Sequence, residues 1–299
     1  MLDVCKLALL REVATHGGIT SAAVALEMSP SNVSQQLRRL ERAYGVALLE
    51  PRGRGISLTP AAERLVRRTE DVLEILEAAE TELVMSRDIA TRTVRLVGFH
   101  TFAVGLLGSM VSRLGVLAPE LSLEFAQLEP EASIDAVLAR RADLAVIDEY
   151  EGFPLEPSPG IVRTVLGEEP VRAYLPAGAV SAADADWAME PETSDSAKWT
   201  RSVCRTAGFE PRARYVSPDP YVHRRLLEQG IAAAFLPATV AVDLPADVRV
   251  ADEIPGILHR THTLIMRRGA HRSAANEACR VAIAAALTDA VRENGNPTR

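Results

Sequence analysis

The sequence predicts an α/β protein with a separate, mainly helical unit at its N-terminus. Three observations lead there. From Thr93 onward, β-branched runs alternate with helical stretches, the pattern of a parallel sheet with crossover helices. Before that, residues 60–88 contain no glycine and no internal proline, and their apolar residues recur every 3.5 positions, as in one long helix. Charge also divides the chain. Residues 1–68 hold ten Lys/Arg against six Asp/Glu, a local net of +4, so the remainder carries −11 of the total −7. A basic head on an acidic body is expected when one domain alone meets phosphate.

With 299 residues, 47% of them hydrophobic, the chain can bury the cores of two or three domains. No run of 18 uncharged apolar residues is present and the start lacks a signal-peptide layout, so a soluble cytoplasmic protein without membrane contact is expected. Cys5, Cys204 and Cys279 are far apart with no CxxC, which argues against a disulfide framework or a zinc module.

In the head, Leu7, Leu10, Val13 and Ala14 stripe a first helix that His16-Gly17-Gly18 ends. Thr20 is placed to cap a second, alanine-rich helix over Ser21–Met28. Ser29 is placed to cap a third, with Pro30 in its first turn. Within that third helix Val33, Leu37 and Leu40 face the core. Ser31, Ser34, Gln35, Arg38 and Arg42 form another face, whose hydroxyl, amide and guanidinium groups suit base edges in a major groove. Two short helices joined by a tight turn, the second bearing such a face, make a helix-turn-helix. The plainer alternative is a solvated face of an ordinary three-helix unit. GVALLEPRGRGISLTP (45–60) then reads as a two-stranded wing, with Arg52 and Arg54 placed for phosphates or the minor groove.

On these residues the chain resembles the N-terminal winged helix-turn-helix of LysR-type transcriptional regulators. The resemblance is carried by Ala22-Ala23, Ser-Pro-Ser-x-Val-Ser at 29–34, Leu40-Glu41, Gly45, Leu48-Leu49 and Leu58-Thr59-Pro60. It departs from the family at Pro51, where an Arg is usual, and at Ala61-Ala62, where Ala-Gly is usual. The resemblance implies that Pro30, Ser31, Ser34 and Gln35 approach bases and that Arg54 belongs to the wing.

The long helix presents Ala62, Leu65, Thr69, Val72, Leu76, Ala79 and Leu83 along one stripe, between flanks rich in Glu and Asp. A 3.5-residue period suggests a partner helix and hence a homodimer, in which two recognition helices read two half-sites. The alternative is packing on the helix's own body. The family resemblance implies the dimer as well, with a tetramer as the usual assembly, and admits RNA polymerase as a further partner.

In the body, TVRLVGF (93–99), LSLEFAQ (121–127) and ADLAVID (142–148) read as strands. A helix from Thr101 to about Leu117 and another at Ala132–Arg140 separate them. IVRTVLG and VRAYLP, a helix near Ser196–Ala207, a helix at Pro220–Glu228 capped by Asp219, and IAAAFLP (231–237) build a second unit. THTLIMR (261–267) and a helix over Ser273–Arg292 close the chain. ADLAVID and LLEQGIAAAFLP resemble the effector-binding region of the same regulators, two α/β subdomains of periplasmic-binding-protein type. The expected organisation is therefore 1–59 for DNA binding and 60–90 for the linker and dimerisation helix. Residues 92–161 with 268–292 form one effector subdomain and 162–267 the other, with a hinge at crossings near 162 and 267.

Ligands of open α/β sheets sit beyond the carboxyl ends of strands, at helix N-termini. That points to Phe99, His100, Thr101 and Phe102, with Thr101 and free N–H groups holding a carboxylate. Leu128, Glu129, Ser194, Ser217 and Phe235 form the facing wall. Thr101 as a plain N-cap and His100 as a merely exposed side chain are the competing readings. The expected effector is a small molecule of unknown identity, with no cofactor. His259 and His262, with His271 further on, suggest a solvated pair rather than a metal site, because His-x-x-His on a strand sends its rings to opposite faces. No motif pairs a nucleophile with a base, so no catalytic residue is expected. A small-molecule-binding protein or enzyme, with the head as an interaction module, is the alternative function. A flat salt dependence of DNA binding would favour it.

Overall fold

The computed structural model describes residues 2–52, 55–85, 93–155, 158, 160–254, 258–270 and 273–294. Its head is helices α1 (Val4–Thr15), α2 (Ile19–Ala25) and α3 (Pro30–Tyr44), then a hairpin of β1 (Leu49–Arg52) and β2 (Gly55–Leu58). Ser29 caps α3 by accepting from the Asn32 N–H at 3.2 Å, with Pro30 in the first turn. At the other end Gly45 takes the left-handed conformation that closes a helix cheaply. Helix α2 begins before the expected Ser21: Gly18, not Thr20, stands at its N-cap, and the chain leaves it at Leu26. Ala22 and Ala23 are fully buried, so α2 packs closely in a core with Leu10, Val13, Val33, Leu37, Leu40 and Leu48.

Helix α4 (Pro60–Met85) follows, capped by Thr59, whose hydroxyl accepts from the Ala62 N–H and donates to the Ala47 carbonyl at 2.8 Å. Its first turns bury Ala62 and half-bury Leu65 and Val66 against the head's own core.

The body is one continuous sheet. Its strands are β3 (Thr93–Gly98), β4 (Ser122–Gln127), β5 (Leu144–Tyr150), β6 (Ile161–Leu175), β7 (Asp186–Met189), β8 (Arg212–Val216), β9 (Ala233–Pro237), β10 (Arg249–Val250) and β11 (Leu258–Arg267). They run in the order β4-β3-β5-β11-β6-β9-β7-β8, with β10 paired to β6. β3, β4 and β5 are parallel, as are β7, β8 and β9, whereas β6 and β11 are antiparallel to their neighbours. Helices α5 (His100–Gly105), α6 (Leu107–Leu117) and α10 (Ala274–Asn294) cover one face of the first half, and α7 (Pro130–Leu138) covers the other. In the second half α8 (Asp195–Thr206) and α9 (Pro220–Glu228) flank the sheet. Trp187 and Trp199 pack there with Phe235, as their apolar surface requires.

Two expectations are corrected. The stretches IVRTVLG and VRAYLP are one fifteen-residue strand, β6, because the chain runs straight from the first half into the second. The crossings therefore do not lie at 162 and 267, which sit inside paired strands. Instead β6 and β11 belong to both halves, and their register breaks between His262 and Thr263, opposite Gly167 and Val165. The helix expected from Thr101 to Leu117 is also two helices. It breaks at Leu106, just after Gly105 comes so close to Thr239 of the second half that an added Cβ would lie 3.0 Å from the threonine's own.

Gly98 sets how α5 sits over the end of β3. A Cβ there would lie 2.8 Å from Cδ1 of Phe102, which is buried in the core below. Gly98→Ala forces that ring aside and is expected to cost about 1–3 kcal/mol. Urea denaturation of the two proteins measures it, and an unchanged midpoint would show the contact to be slack.

Candidate nucleic-acid interface and ligand cavity

On α3 the buried residues Val33, Leu37 and Leu40 turn the opposite face outward. Pro30, Ser31, Gln35, Arg38 and Arg42 are exposed and Ser34 is half-buried. Ser31 shares a 3.0 Å hydroxyl contact with Ser29, and the Arg42 Nε donates back to the Arg38 carbonyl at 3.2 Å. Arg42 is thus folded along its own helix, and both arginines remain exposed.

The hairpin is fixed to α3 by Glu41. Its carboxylate accepts from the backbone N–H groups of Leu48 (2.8 Å) and Leu49 (3.2 Å), a role with no mark in the local sequence. Pro51, lacking an N–H, is tolerated because a two-stranded hairpin leaves edge positions free. Arg54 and the side chain of Arg52 lie outside the described residues.

The stripe on α4 divides. Thr69 is buried and donates to the Leu65 carbonyl, and Leu65 packs on the head, so these two do not face outward as expected. Val72, Leu76 and Ala79 are exposed, together with Ile75, which is 68% exposed and lies off the predicted stripe. The Leu83 side chain is outside the described residues.

Between the halves of the body lies a cavity of about 340 Å³. From the first half it is lined by Phe99, His100, Thr101, Glu129, Asp148 and Tyr150, and from the second by Glu190, Ser194 and Ser196, with Arg260 at its floor. Among the expected ligand residues, Phe99, His100, Thr101, Glu129 and Ser194 reach it. Phe102 does not: it sits in the core beneath α5. Leu128 packs under α7, Phe235 lies between the two tryptophans, and the Ser217 hydroxyl is taken by the Asp219 N–H at 3.1 Å. Nor is Thr101 an N-cap, since Phe99 holds that position without a side-chain bond. The Thr101 hydroxyl instead accepts from Arg260 Nη2 at 2.8 Å.

Arg260 is the centre of a buried cluster. Its Nε donates to Glu169 Oε2 at 2.8 Å, Nη2 lies 2.7 Å from the same oxygen, and Nη1 donates to Asp148 at 3.1 Å. Glu169 also accepts from the Thr239 N–H at 2.7 Å and from His262 Nε2 at 2.8 Å. The expectation of a solvated histidine pair is corrected here. His262 is almost wholly buried, with the carboxylate requiring the proton on Nε2, and His259 is half-buried. His271 lies outside the described residues. Burial alone would raise the pKa of Glu169, yet Arg260, His262 and the Thr239 N–H together hold it well below the usual carboxylate range.

The carboxyl groups facing the cavity behave oppositely. Burial, then the charge of Asp148, pushes Glu190 up to about 7 against hydrogen bonds from Ser196 and Ser194. Glu129 is raised by the same two causes in the same order. Tyr150, its hydroxyl 2.9 Å from Asp148 Oδ2, is raised well above its ordinary value by burial first and by that carboxylate second. Among the described residues there is no group of three His, Cys, Asp or Glu able to hold a metal ion, and no helix long and apolar enough to cross a membrane.

A winged helix-turn-helix with an outward polar recognition helix, joined to a two-lobed α/β domain around a cavity, defines a ligand-responsive DNA-binding protein. Residues 5–63 match the bacterial regulatory helix-turn-helix family of lysR type, and residues 88–288 match the LysR substrate binding domain. The chain belongs to the LysR family of DNA-binding transcriptional regulators, whose C-terminal domain binds effectors. It is 27% identical over 310 residues to a probable hydrogen peroxide-inducible genes activator of Streptomyces viridosporus, covering 97% of this chain and 95% of that one. It is 23% identical over 265 residues to the probable regulator LrrA of Synechococcus elongatus, covering 87% and 88%. The fold matches that of a cysteine-to-serine mutant of Corynebacterium glutamicum OxyR in its H2O2-bound form, with a TM-score of 0.59 at 19% identity, covering 98% of this chain and 95% of that one. For full-length CbnR complexed with its target DNA the TM-score is 0.51 at 20% identity, covering 94% and 100%.

Two outcomes are expected. Glu169→Gln leaves Arg260 buried beside a neutral amide and should cost about 3–5 kcal/mol at neutral pH. Because the folded-state pKa of Glu169 is depressed, this contribution is present above the unfolded value of 4.5 and lost as the pH falls below it, so the variant and the parent should converge in acid. Glu190 has the opposite sign: its raised value means that stability falls as the pH rises from about 4.5 through about 7. Glu190→Gln should therefore raise the melting temperature at about pH 8, with no gain near pH 4. Melting curves from pH 8 to pH 4 check Glu190, and their extension into strong acid, well below pH 4, checks the convergence at Glu169.

Proposed function

We propose that the protein is a cytoplasmic, homodimeric operator-binding regulator whose DNA complex is altered when a small molecule fills the cavity between the two halves of its C-terminal domain. One observation carries the effector part. Thr101 and Asp148 of the first half face Glu190, Ser194 and Ser196 of the second across the cavity, so a ligand touching both walls favours one spacing of the halves. Closure about the shared strands would rearrange the paired subunits and with them the spacing or bend of the bound DNA. At a promoter this changes the access or contacts of RNA polymerase. The exposed Val72, Ile75, Leu76 and Ala79 supply the apolar strip for pairing through α4.

A peroxide response, as in the name of the Streptomyces relative, gains no support from the two thiols of the body; Cys5, the exposed one, lies on α1 of the head. A reactive switch needs an accessible, low-pKa thiolate. Cys204 is buried, and burial, then Glu210, pushes its thiol up to about 12. Cys279 is buried in the core of the other half.

Selection of bound sequences from a random duplex pool, followed by a salt titration on the winner, tests the DNA reading. The expected product is an imperfect inverted repeat with half-sites about one helical turn apart, bound with a steep loss of affinity as salt rises. Arg38→Ala should weaken that binding by about 1–3 kcal/mol. No enrichment, or binding indifferent to salt, would leave the body as the functional part.

A further inference from the structure

We infer that the cavity takes a small organic cation, an ammonium group on an apolar body, with Glu190, Asp148 and Glu129 as its counter-charges. This deepens the proposed function and rests on the cavity being the effector site. One cation already stands at the cavity. Among the described residues lining the cavity, Arg260 is the only Lys or Arg, and its guanidinium is already engaged by Glu169, Asp148 and the Thr101 hydroxyl. Four N–H-to-oxygen contacts bind it inward, so it has little to offer an anionic ligand. Glu169, wholly buried behind it, cancels its charge. The Thr101 hydroxyl accepts from Arg260 and keeps its own O–H, which a neutral or an anionic ligand could equally accept from, so the charge preference of the cavity lies with its acids.

The acids outnumber the cations there, and only some of them are paired. Asp148 at the end of β5, Glu129 and Glu131 at the start of α7, Glu190 beyond β7 and Asp195 at the start of α8 all line the same space. Asp195 is paired with Lys198 at 2.7 Å, and Asp148 is shared between Arg260 and Tyr150. His100, the other titratable base, is directed at Asp219 (3.2 Å) and Gln127 (3.3 Å). Among the described residues, Glu190 and Glu129 thus face the cavity without a paired cation. Burial and the Asp148 charge raise the pKa of both, against hydrogen bonds from Ser196 and Ser194 at Glu190 and the His100 charge at Glu129. An ammonium group would offset that burial and charge, as charge-assisted hydrogen bonds to buried carboxylates are the strong ones.

Around the acids, Phe99, Tyr150, Leu155 and Pro130, Pro191 and Pro220 supply apolar walls, and the Tyr150 ring can face a cation. At about 340 Å³ the space lies at the low end for ligand pockets, so the body is small. Anions of any shape would meet uncompensated carboxylates on both walls.

The test uses the full-length protein and three probes of matched shape: 2-phenylethylamine, 2-phenylethanol and 3-phenylpropanoate. Calorimetric titration should show the amine binding about tenfold or more tightly than the alcohol, and the carboxylate more weakly than either. Amine binding should strengthen from about pH 6 to pH 8 with proton release, as Glu190 ionises against the ligand. Glu190→Gln should weaken the amine about tenfold and leave the alcohol within about twofold, a split that a merely structural role would not produce. Thr193→Trp, at an exposed loop position lining the cavity, should block all three. If 3-phenylpropanoate binds tightest and Thr193→Trp abolishes it, the cavity stands and the cationic class is overturned. If binding ignores Thr193→Trp, the cavity reading falls too. No amine binding at millimolar concentration also overturns the inference.

Discussion

The ion pair between Arg260 and Glu169 sits where the two halves of the body meet, and it constrains everything around it. Both side chains project from the long strands that the halves share, and both are almost wholly withdrawn from water. A charge in that position is tolerable only with nearly every donor and acceptor satisfied, and the structure meets the demand by recruiting from every side. Thr101 comes from the first half, the Thr239 N–H from the second, His262 from β11 itself and Asp148 from the neighbouring β5. The pair thereby ties α5, both crossing strands and the loop after β9 into one assembly. It also removes the positive charge from the cavity that it floors, which leaves the carboxyl groups above to set the chemistry of the ligand.

Much of this is legible from residue order, and what is not has physical causes. The recognition helix is clear because local rules determine it: Ser29 and Pro30 fix its start, Gly45 its end, and the spacing of Val33, Leu37 and Leu40 its buried face. The body's parallel strands are clear because apolar runs of that length need cover on two faces. β6 reads as two strands because Gly167-Glu168-Glu169-Pro170 looks like a break, whereas Glu169 is held in mid-strand by Arg260 and by the meeting of the halves. That is a tertiary constraint with no local mark. Asp148 is within reach of sequence rules, since it lies at the carboxyl end of a strand where such folds place their ligands. Arg260 is not, because its partners Glu169, Asp148 and Thr101 lie far away in the chain, and Glu190 is not, because the Asp148 charge that acts on it comes from the other half.

The same contrast separates the two stretches of α4. Its apolar period is continuous in sequence, yet the first turns serve the head and the later ones remain outward. Periodicity reports that a face is apolar, and only the neighbouring elements decide what covers it. Leu65 and Ile75 are alike in composition and opposite in role for this reason.

Because the chain enters the second half along β6 and leaves it along the adjacent strand β11, that half is a plug-in whose two ends lie side by side. A genetic exchange of residues 170–257 between two such chains would need only two neighbouring junctions and would leave the Arg260–Glu169 tie intact. It would swap the wall bearing Glu190, Ser194 and Ser196 while keeping the wall bearing Thr101, Glu129 and Asp148. Recombination can thus produce hybrid ligand preferences without rebuilding the part of the protein that reads DNA.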